Sequence, residues 1–335
     1  MQLVSIIIPC YNEQATIRLL LDAIYAQTYP RASLEVIIAD GMSTDQTRAA
    51  IREFTSSHAD LVVRVVDNPR RIIPAALNCA LAAAGGEFII RLDAHSAPAA
   101  DYVERTIAAL QANMGDNVGG LWLIRPGNES WVAKAIAAAA AHPLGVGDAR
   151  YRYSNRPGIV DTVPFGAFRR DLIERIGPFD ESLLANEDYE FNARIRKHHG
   201  QIWFDPQIRS MYYARGSLGS LARQYWRYGY WKRRMLERYP ETLRWRQALP
   251  PVFVLGLIGL LLLAPVWPAS LPVLVGVILL YFLILLAASL TAAISGRDLR
   301  LLAGIPAAIA VMHLSWGSGF LWSALQRHPR TEKIA

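Results

Sequence analysis

The first two hundred residues alternate between short apolar runs and longer segments of mixed polarity. "VSIIIP" (4–9), "LEVIIAD" (34–40), "LVVRVVD" (61–67) and "EFIIRLD" (87–93) are rich in β-branched residues and end near a polar or turn-forming residue. That pattern predicts strands. Residues 13–27 place Ile17, Leu20, Leu21 and Ile24 on one face of a helix. Residues 73–84 predict a second helix, and the small-residue run "AIAAAAAH" (135–142) a third. Strands alternating with helices at this spacing predict an α/β fold, a mostly parallel sheet covered on both faces. Ligands of such sheets sit beyond the carboxyl ends of the strands. Residues 11–13, 40–45 and 93–95 then share one rim.

The pattern changes late in the chain. Residues 247–296 carry no charged side chain, enough for two crossings of a bilayer at about 20 residues each. Segments 249–266 and 271–294 read as a hairpin broken by "APVWPASLP", the first giving about 27 Å of helix. A third segment, 301–325, contains Pro306, His313, Gly317 and Gly319. It either spans, leaving the basic tail 327–335 outside, or is re-entrant or split, keeping the tail inside. Three parts follow: a catalytic domain (1–216), an interfacial segment (217–246) and a membrane domain (247–326) ahead of that tail.

Composition and charge sharpen this division. The chain has 335 residues, 53% hydrophobic, with a formal charge of +7. Between Arg223 and Arg246 lie eight Lys/Arg and two Glu, interleaved with Tyr225, Trp226, Tyr228, Tyr230, Trp231 and Trp245. Such a mixture can bind nucleic acid. Placed directly before an uncharged run, it reads instead as interfacial anchors on the cytoplasmic side, so membrane lipid is the expected partner and nucleic acid is not. Cys10 and Cys79 lie far apart without metal-type spacing and predict buried thiols in a reducing compartment. The N-terminus lacks a basic n-region and a free apolar h-region, which predicts no signal peptide.

No GxGxxG, GxxxxGK, HExxH or GxSxG occurs, which sets aside nicotinamide dehydrogenases, P-loop ATPases, zincins and α/β-hydrolases. Carboxylates at several strand ends without a phosphate loop point to a nucleoside diphosphate bound through a metal bridge. Asp40 and Asp45 have a plainer reading as residues that shape "DGMSTDQT" and cap the following helix. His95 has one as a turn histidine, and Asp188 as an acid on the first turn of a helix.

Four motifs, "VSIIIPCYNE", "VIIADGMSTDQT", "ALNCALAAAGGEFIIRLDAHS" and "FDESLLANEDYEFNARIRKHHG", together resemble the family 2 inverting glycosyltransferases. The likeness runs from about Val4 to Gly229 and is greatest to bacterial exopolysaccharide enzymes of the succinoglycan type. It implies the GT-A fold, a Rossmann-like mixed sheet for nucleotide-diphospho-sugars, here followed by transmembrane helices. Pro9, Tyr11 and Glu13 match the family's first nucleotide contacts, and Asp40 its base-reading Asp. Arg71 and Asn78 fall where the nucleotide is approached, and Asp93 and His95 occupy the DxD metal positions. Asp188 matches the catalytic base, and Gln224 and Arg227 a QxxRW-like element, with Tyr228 where Trp is usual. Two departures stand out: Gly41 replaces the second Asp of the common "DDGS" turn, and His95 the second Asp of DxD. Imidazole in place of carboxylate predicts Mn²⁺ in preference to Mg²⁺.

The expected activity is transfer of a sugar, glucose on a UDP donor, to a hydroxyl of a lipid-linked saccharide, with inversion, in surface or exopolysaccharide synthesis. The expected place is a bacterial inner membrane, multi-pass, with the catalytic domain cytoplasmic. A processive polysaccharide synthase and an inactive scaffold are the alternatives.

Overall fold

The structure, a computed structural model, describes residues 2–326; the tail 327–335 lies outside the described residues. In chain order the strands are β1 (Val4–Cys10), β2 (Leu34–Asp40), β3 (Val62–Asp67), β4 (Phe88–Arg91), β5 (Ser96–Pro98), β6 (Asn117–Arg125), β7 (Gly158–Ile159), β8 (Ala167–Arg169) and β9 (Ile202–Tyr213). The helices are α1 (Ile17–Tyr25), α2 (Thr47–Ser57), α3 (Ile73–Ala83), α4 (Tyr102–Gln111), α5 (Trp131–Ala140), α6 (Pro143–Val146), α7 (Asp171–Ile176), α8 (Glu187–Lys197), α9 (Leu218–Met235), α10 (Trp245–Leu263), α11 (Ser270–Gly296) and α12 (Leu301–Leu325).

Two compact units emerge, and they are not contiguous in sequence. One joins the chain up to Arg125 with Asp148–Ala214; the other joins Pro126–Gly147 with the chain from Arg215 onward. The segment carrying α5 and α6, expected within a continuous catalytic domain, groups with the C-terminal helices.

In the first unit the sheet order is β3-β2-β1-β4-β8-β6-β9-β5, with β7 beside β9. β3, β2, β1 and β4 run parallel in register. β8 then pairs antiparallel with β4, so the sheet is parallel in its first half and mixed in its second. β1, β2 and β4 are covered on both faces, which explains why they read as unbroken apolar runs, whereas β3 at the sheet edge is largely exposed. Ile6, Ile8, Val36, Ile38 and Ile90 pack on one side against α1, α2 and α4. Ile7, Ile37, Ala39 and Ile89 pack on the other against α3, α7 and α8. The alternation is the pleat itself.

In the second unit α9 lies against α12 so closely that backbones meet. A Cβ at Gly229 would collide with the carbonyl of Trp316, and one at Gly319 with the carbonyl of Trp226. Small residues at such a crossing let helices approach. His313 on α12 donates from Nε2 to the Leu144 carbonyl at 2.9 Å and accepts at Nδ1 from the Tyr281 hydroxyl, also at 2.9 Å. The helix thereby ties α11 to α6.

Three helices, α10, α11 and α12, are long and apolar enough to cross a membrane. α10 begins four residues before the expected segment and ends three before its end, taking in Trp245 and Arg246. α12 is one unbroken helix of 25 residues rather than a split pair. Pro306 sits in its second turn, where the missing N–H costs one hydrogen bond.

Candidate active site

The loops after β1 and β2 are laced together at the carboxyl edge of the sheet. Asn12, at φ 54, donates its N–H to Ser43 Oγ at 2.8 Å and accepts from Thr44 N at 2.9 Å. Glu13 N bonds Thr47 Oγ1 and Gly41 N bonds the Cys10 carbonyl. Pro9 is the penultimate residue of β1, and Tyr11, half exposed, is the first residue beyond it. Gly41 lies beside the Tyr11 ring: a Cβ there would stand 3.2 Å from Tyr11 Cδ2.

Asp40 is fully buried. Its Oδ1 accepts from Ser43 Oγ at 2.5 Å and its Oδ2 from Ser43 N at 3.0 Å and Arg48 Nε at 2.5 Å. Arg48 also pairs with Asp67 at the end of β3. Of the two readings of Asp40, this geometry displays the turn-shaping one. Asp45 likewise accepts from Thr47 N and Oγ1. Cys10 is buried and Cys79 half-buried, both as free thiols; burial first, then the charge of Asp40, pushes the Cys10 thiol up.

Arg71 is exposed at φ 56, its N–H bonded to the Asn68 carbonyl at 3.1 Å. Asn78, expected as a nucleotide contact, bonds within the protein. Its amide donates to the Phe179 carbonyl (2.9 Å) and Glu181 Oε1 (2.8 Å), and its carbonyl accepts from Phe179 N (2.9 Å). The side chain is engaged in clamping the loop after α7.

Asp93 and His95 follow β4. Asp93 is partly exposed, and the hydrogen bonds it accepts from Arg91, at 3.2 and 3.3 Å, both end on Oδ1. His95 Nδ1 lies 3.3 Å from Glu13 Oε1. Burial raises the affinity of Glu13 for a proton, but hydrogen bonds from His95 and Thr16 outweigh it and hold the carboxyl below its ordinary value. An ionised Glu13 accepts only, so Nδ1 donates and a neutral His95 carries its lone pair on Nε2. Carboxylates orient metal-ligating histidines in this way.

Asp188 is the second residue of α8, partly exposed, accepting from Tyr189 N at 2.7 Å. Desolvation, then the charge of neighbouring Glu187, pushes its carboxyl up to about 6, against the opposing pull of Arg91. Arg91 reaches Glu187 Oε1 at 2.8 Å, with both side chains buried. Burial disfavours the Arg91 charge, yet Asp93, Glu187 and Asp188 together hold its proton more firmly than usual. Nearby, the Tyr189 hydroxyl donates to Asp161 at 2.8 Å. Burial raises the Tyr151 phenol, in the field of Arg152, Asp188 and Asp161.

Among the expected residues, Pro9, Tyr11, Glu13, Asp40, Arg71, Asn78, Asp93, His95 and Asp188 stand in one unit. Gln224 and Arg227 stand on α9 in the other, where Gln224 accepts from Arg215 at 3.3 Å and donates to the Tyr228 hydroxyl at 2.9 Å. Sequence reasoning missed Arg48, Arg91 and Glu187. The last two flank assigned residues in "RLDAH" and "NEDYE", but pairing across 96 positions leaves no local signal.

Comparison with known proteins identifies the family. Residues 5–177 match the family described as "Glycosyl transferase family 2". The chain belongs to that family. This family 2 glycosyltransferase is 33% identical over 96% of its length, and 94% of the relative's, to succinoglycan biosynthesis protein ExoA of Rhizobium meliloti (strain 1021). It is 29% identical, over 73% of its length and 77% of the relative's, to a dolichyl N-acetyl-alpha-D-glucosaminyl phosphate 3-beta-D-2,3-diacetamido-2,3-dideoxy-beta-D-glucuronosyltransferase of Methanococcus voltae. In fold it is similar to a mannosyltransferase of Pyrobaculum calidifontis solved with GDP-Man and Mn²⁺. That match has a TM-score of 0.61 at 21% identity and covers 97% of this chain and 87% of that one. The fold is GT-A-like, with three apolar C-terminal helices added.

Proposed function

We propose that this glycosyltransferase moves a sugar, with inversion, from a nucleoside diphosphate to a hydroxyl of a lipid-linked saccharide at a bacterial inner membrane. The observation that carries the reading is one electrostatic cluster. Arg91 links Asp93, at the strand end expected to meet the donor, to Glu187, next to Asp188. A carboxyl pushed up to about 6 is ionised at neutral pH yet basic enough to take a proton from an attacking hydroxyl. Pro9, Tyr11 and Arg71 then serve the nucleotide, with Asp40 and Asn78 holding the loops around it.

The donor set fits a divalent cation that arrives with the nucleotide. Among the described residues no group of three or more His, Cys, Asp or Glu could hold a metal. Asp93 and His95 offer two donors, and diphosphate oxygens and water complete such a shell. The imidazole favours Mn²⁺ over Mg²⁺. A cation held there neutralises the diphosphate as a leaving group. Glu13 acts behind His95, fixing its tautomer.

The membrane helices favour a lipid-linked acceptor, since a water-soluble nucleotide sugar gives no reason for an anchor. The Methanococcus relative, named for a dolichyl-linked substrate, supports that reading. The succinoglycan relative supports a role in exopolysaccharide synthesis, with UDP-glucose as the donor to try first. The basic residues before α10, and Arg297 and Arg300 between α11 and α12, favour a topology with both ends of the first hairpin in the cytoplasm.

The test offers the full chain a panel of nucleoside diphosphate sugars, with a polyprenyl-linked saccharide or the same saccharide freed from lipid. Strong preference for the linked form is expected. Equal efficiency with both overturns the lipid-acceptor reading, and products longer than one added sugar favour a processive synthase.

A further inference from the structure

Arg91 closes β4, and its side chain is only 7% exposed. Its NH2 is shared between Asp93 Oδ1 at 3.2 Å and Glu187 Oε1 at 2.8 Å, while Nε reaches Asp93 Oδ1 at 3.3 Å. Its NH1 is buried without a hydrogen-bond partner. Glu187 and Asp188 are the first two residues of α8, so whatever holds Glu187 also places Asp188.

We propose that Arg91 is a positioning residue: through Glu187 it sets the place of the Asp188 carboxylate relative to the strand end that carries Asp93. The inference rests on the reading of Asp188 as the base. Three features support it. The side chain of Asn186, the residue before α8, makes no capping hydrogen bond, and its backbone is left-handed at φ 66. The bond between Glu187 and Arg91 ties the start of the helix to the sheet. Next, a guanidinium offers donors in a rigid fork that can serve two carboxylates at once, whereas a lysine ammonium is a single point charge. Finally, the hydrogen bond Asp188 accepts from Tyr189 N comes from within α8, so the carboxylate moves with the start of the helix. A misplacement on the order of 1 Å at a reacting group can cost about 10²-fold in rate.

A plainer role is available: a buried ion pair that serves stability alone. A double-mutant cycle on the full chain separates the two, measuring kcat, donor KM and melting midpoint for Arg91→Lys, Asp188→Asn and their combination. Arg91→Lys should lower kcat roughly ten- to a hundredfold while donor KM stays within about threefold. In the Asp188→Asn background the same change should cost little further, because there is no base left to misplace. Wild-type kcat in Arg91→Lys, or an equal loss in both backgrounds, overturns the proposal. Wild-type kcat in Asp188→Asn overturns the base reading itself, a separate result. Arg91→Met strands Glu187 and is expected to impair folding; adding Glu187→Gln removes the stranded charge. Recovery of the melting midpoint without recovery of kcat is the expected result, and recovery of both together would show that the bridge is structural only.

Discussion

Asp188 is raised from 3.8 to about 6 in the folded protein, and two consequences follow at the scale of the residue. The base works ionised, so kcat should rise as pH climbs through about 6 and level off above it. A rate profile flat from pH 5 to 8 would contradict the assignment. The same shift bears on stability. A carboxyl whose folded value is raised contributes stability below its unfolded value, and that contribution is lost as pH rises through the folded value. A shift of this size is on the order of 3 kcal/mol. Asp188→Asn should therefore melt higher than the wild type at pH 8, with the difference closing near pH 4; melting curves at the two values decide it. His95 carries the metal question at this scale. His95→Asp should move the optimum from Mn²⁺ toward Mg²⁺ in metal titrations of activity, and His95→Ala should lose activity. Full activity of His95→Ala in EDTA would remove the ligand role.

At the scale of elements, legibility divided along a physical line. β1 to β4, with the helices between them, were readable because local periodicity determines their type, although the apolar run of β3 is largely exposed at the sheet edge. Ile17, Leu20, Leu21 and Ile24 are all buried on α1, as their spacing predicts. β5, β7 and β8 are two or three residues long, and no window that short carries a period; they exist through pairing partners distant in sequence. The site was legible to the same extent. Strand ends marked Tyr11, Asp93 and His95, but the engagement of Asn78 with the 179–181 loop, and of Arg91 with Glu187, depends on tertiary pairing that spacing cannot encode. The crossing of α9 and α12 was invisible for the same reason. Gly319→Leu should drive a side chain into the Trp226 carbonyl, a misfit that typically costs about 1–3 kcal/mol or more. The expected readout is a lower melting midpoint in detergent, with Gly259→Leu, whose Cβ would meet nothing within 4 Å, as the unaffected control. Equal midpoints would refute the close crossing.

At the scale of the whole molecule, the chain between β6 and β7 leaves the GT-A unit and joins the apolar helices before returning at Asp148. Within the second unit, α5 packs on α12 where a Cβ at Gly304 would meet Ala135 Cβ at 2.6 Å. The apolar C-terminal helices therefore share one unit with α5 and α6. A chain ending at residue 246 leaves the partners of α5 and α9 missing and should aggregate; its appearance as a soluble, cooperatively melting protein would contradict this organisation. The central claim is that a glycosyltransferase site places Asp188 to deprotonate the acceptor. The measurement that bears on it most directly is the pair of values kcat and donor Kd for Asp188→Asn, in the full chain at saturating donor and acceptor. The account predicts that kcat falls by about 10² or more while donor Kd holds within about threefold; an unchanged kcat, or a loss of donor binding in its place, would contradict it.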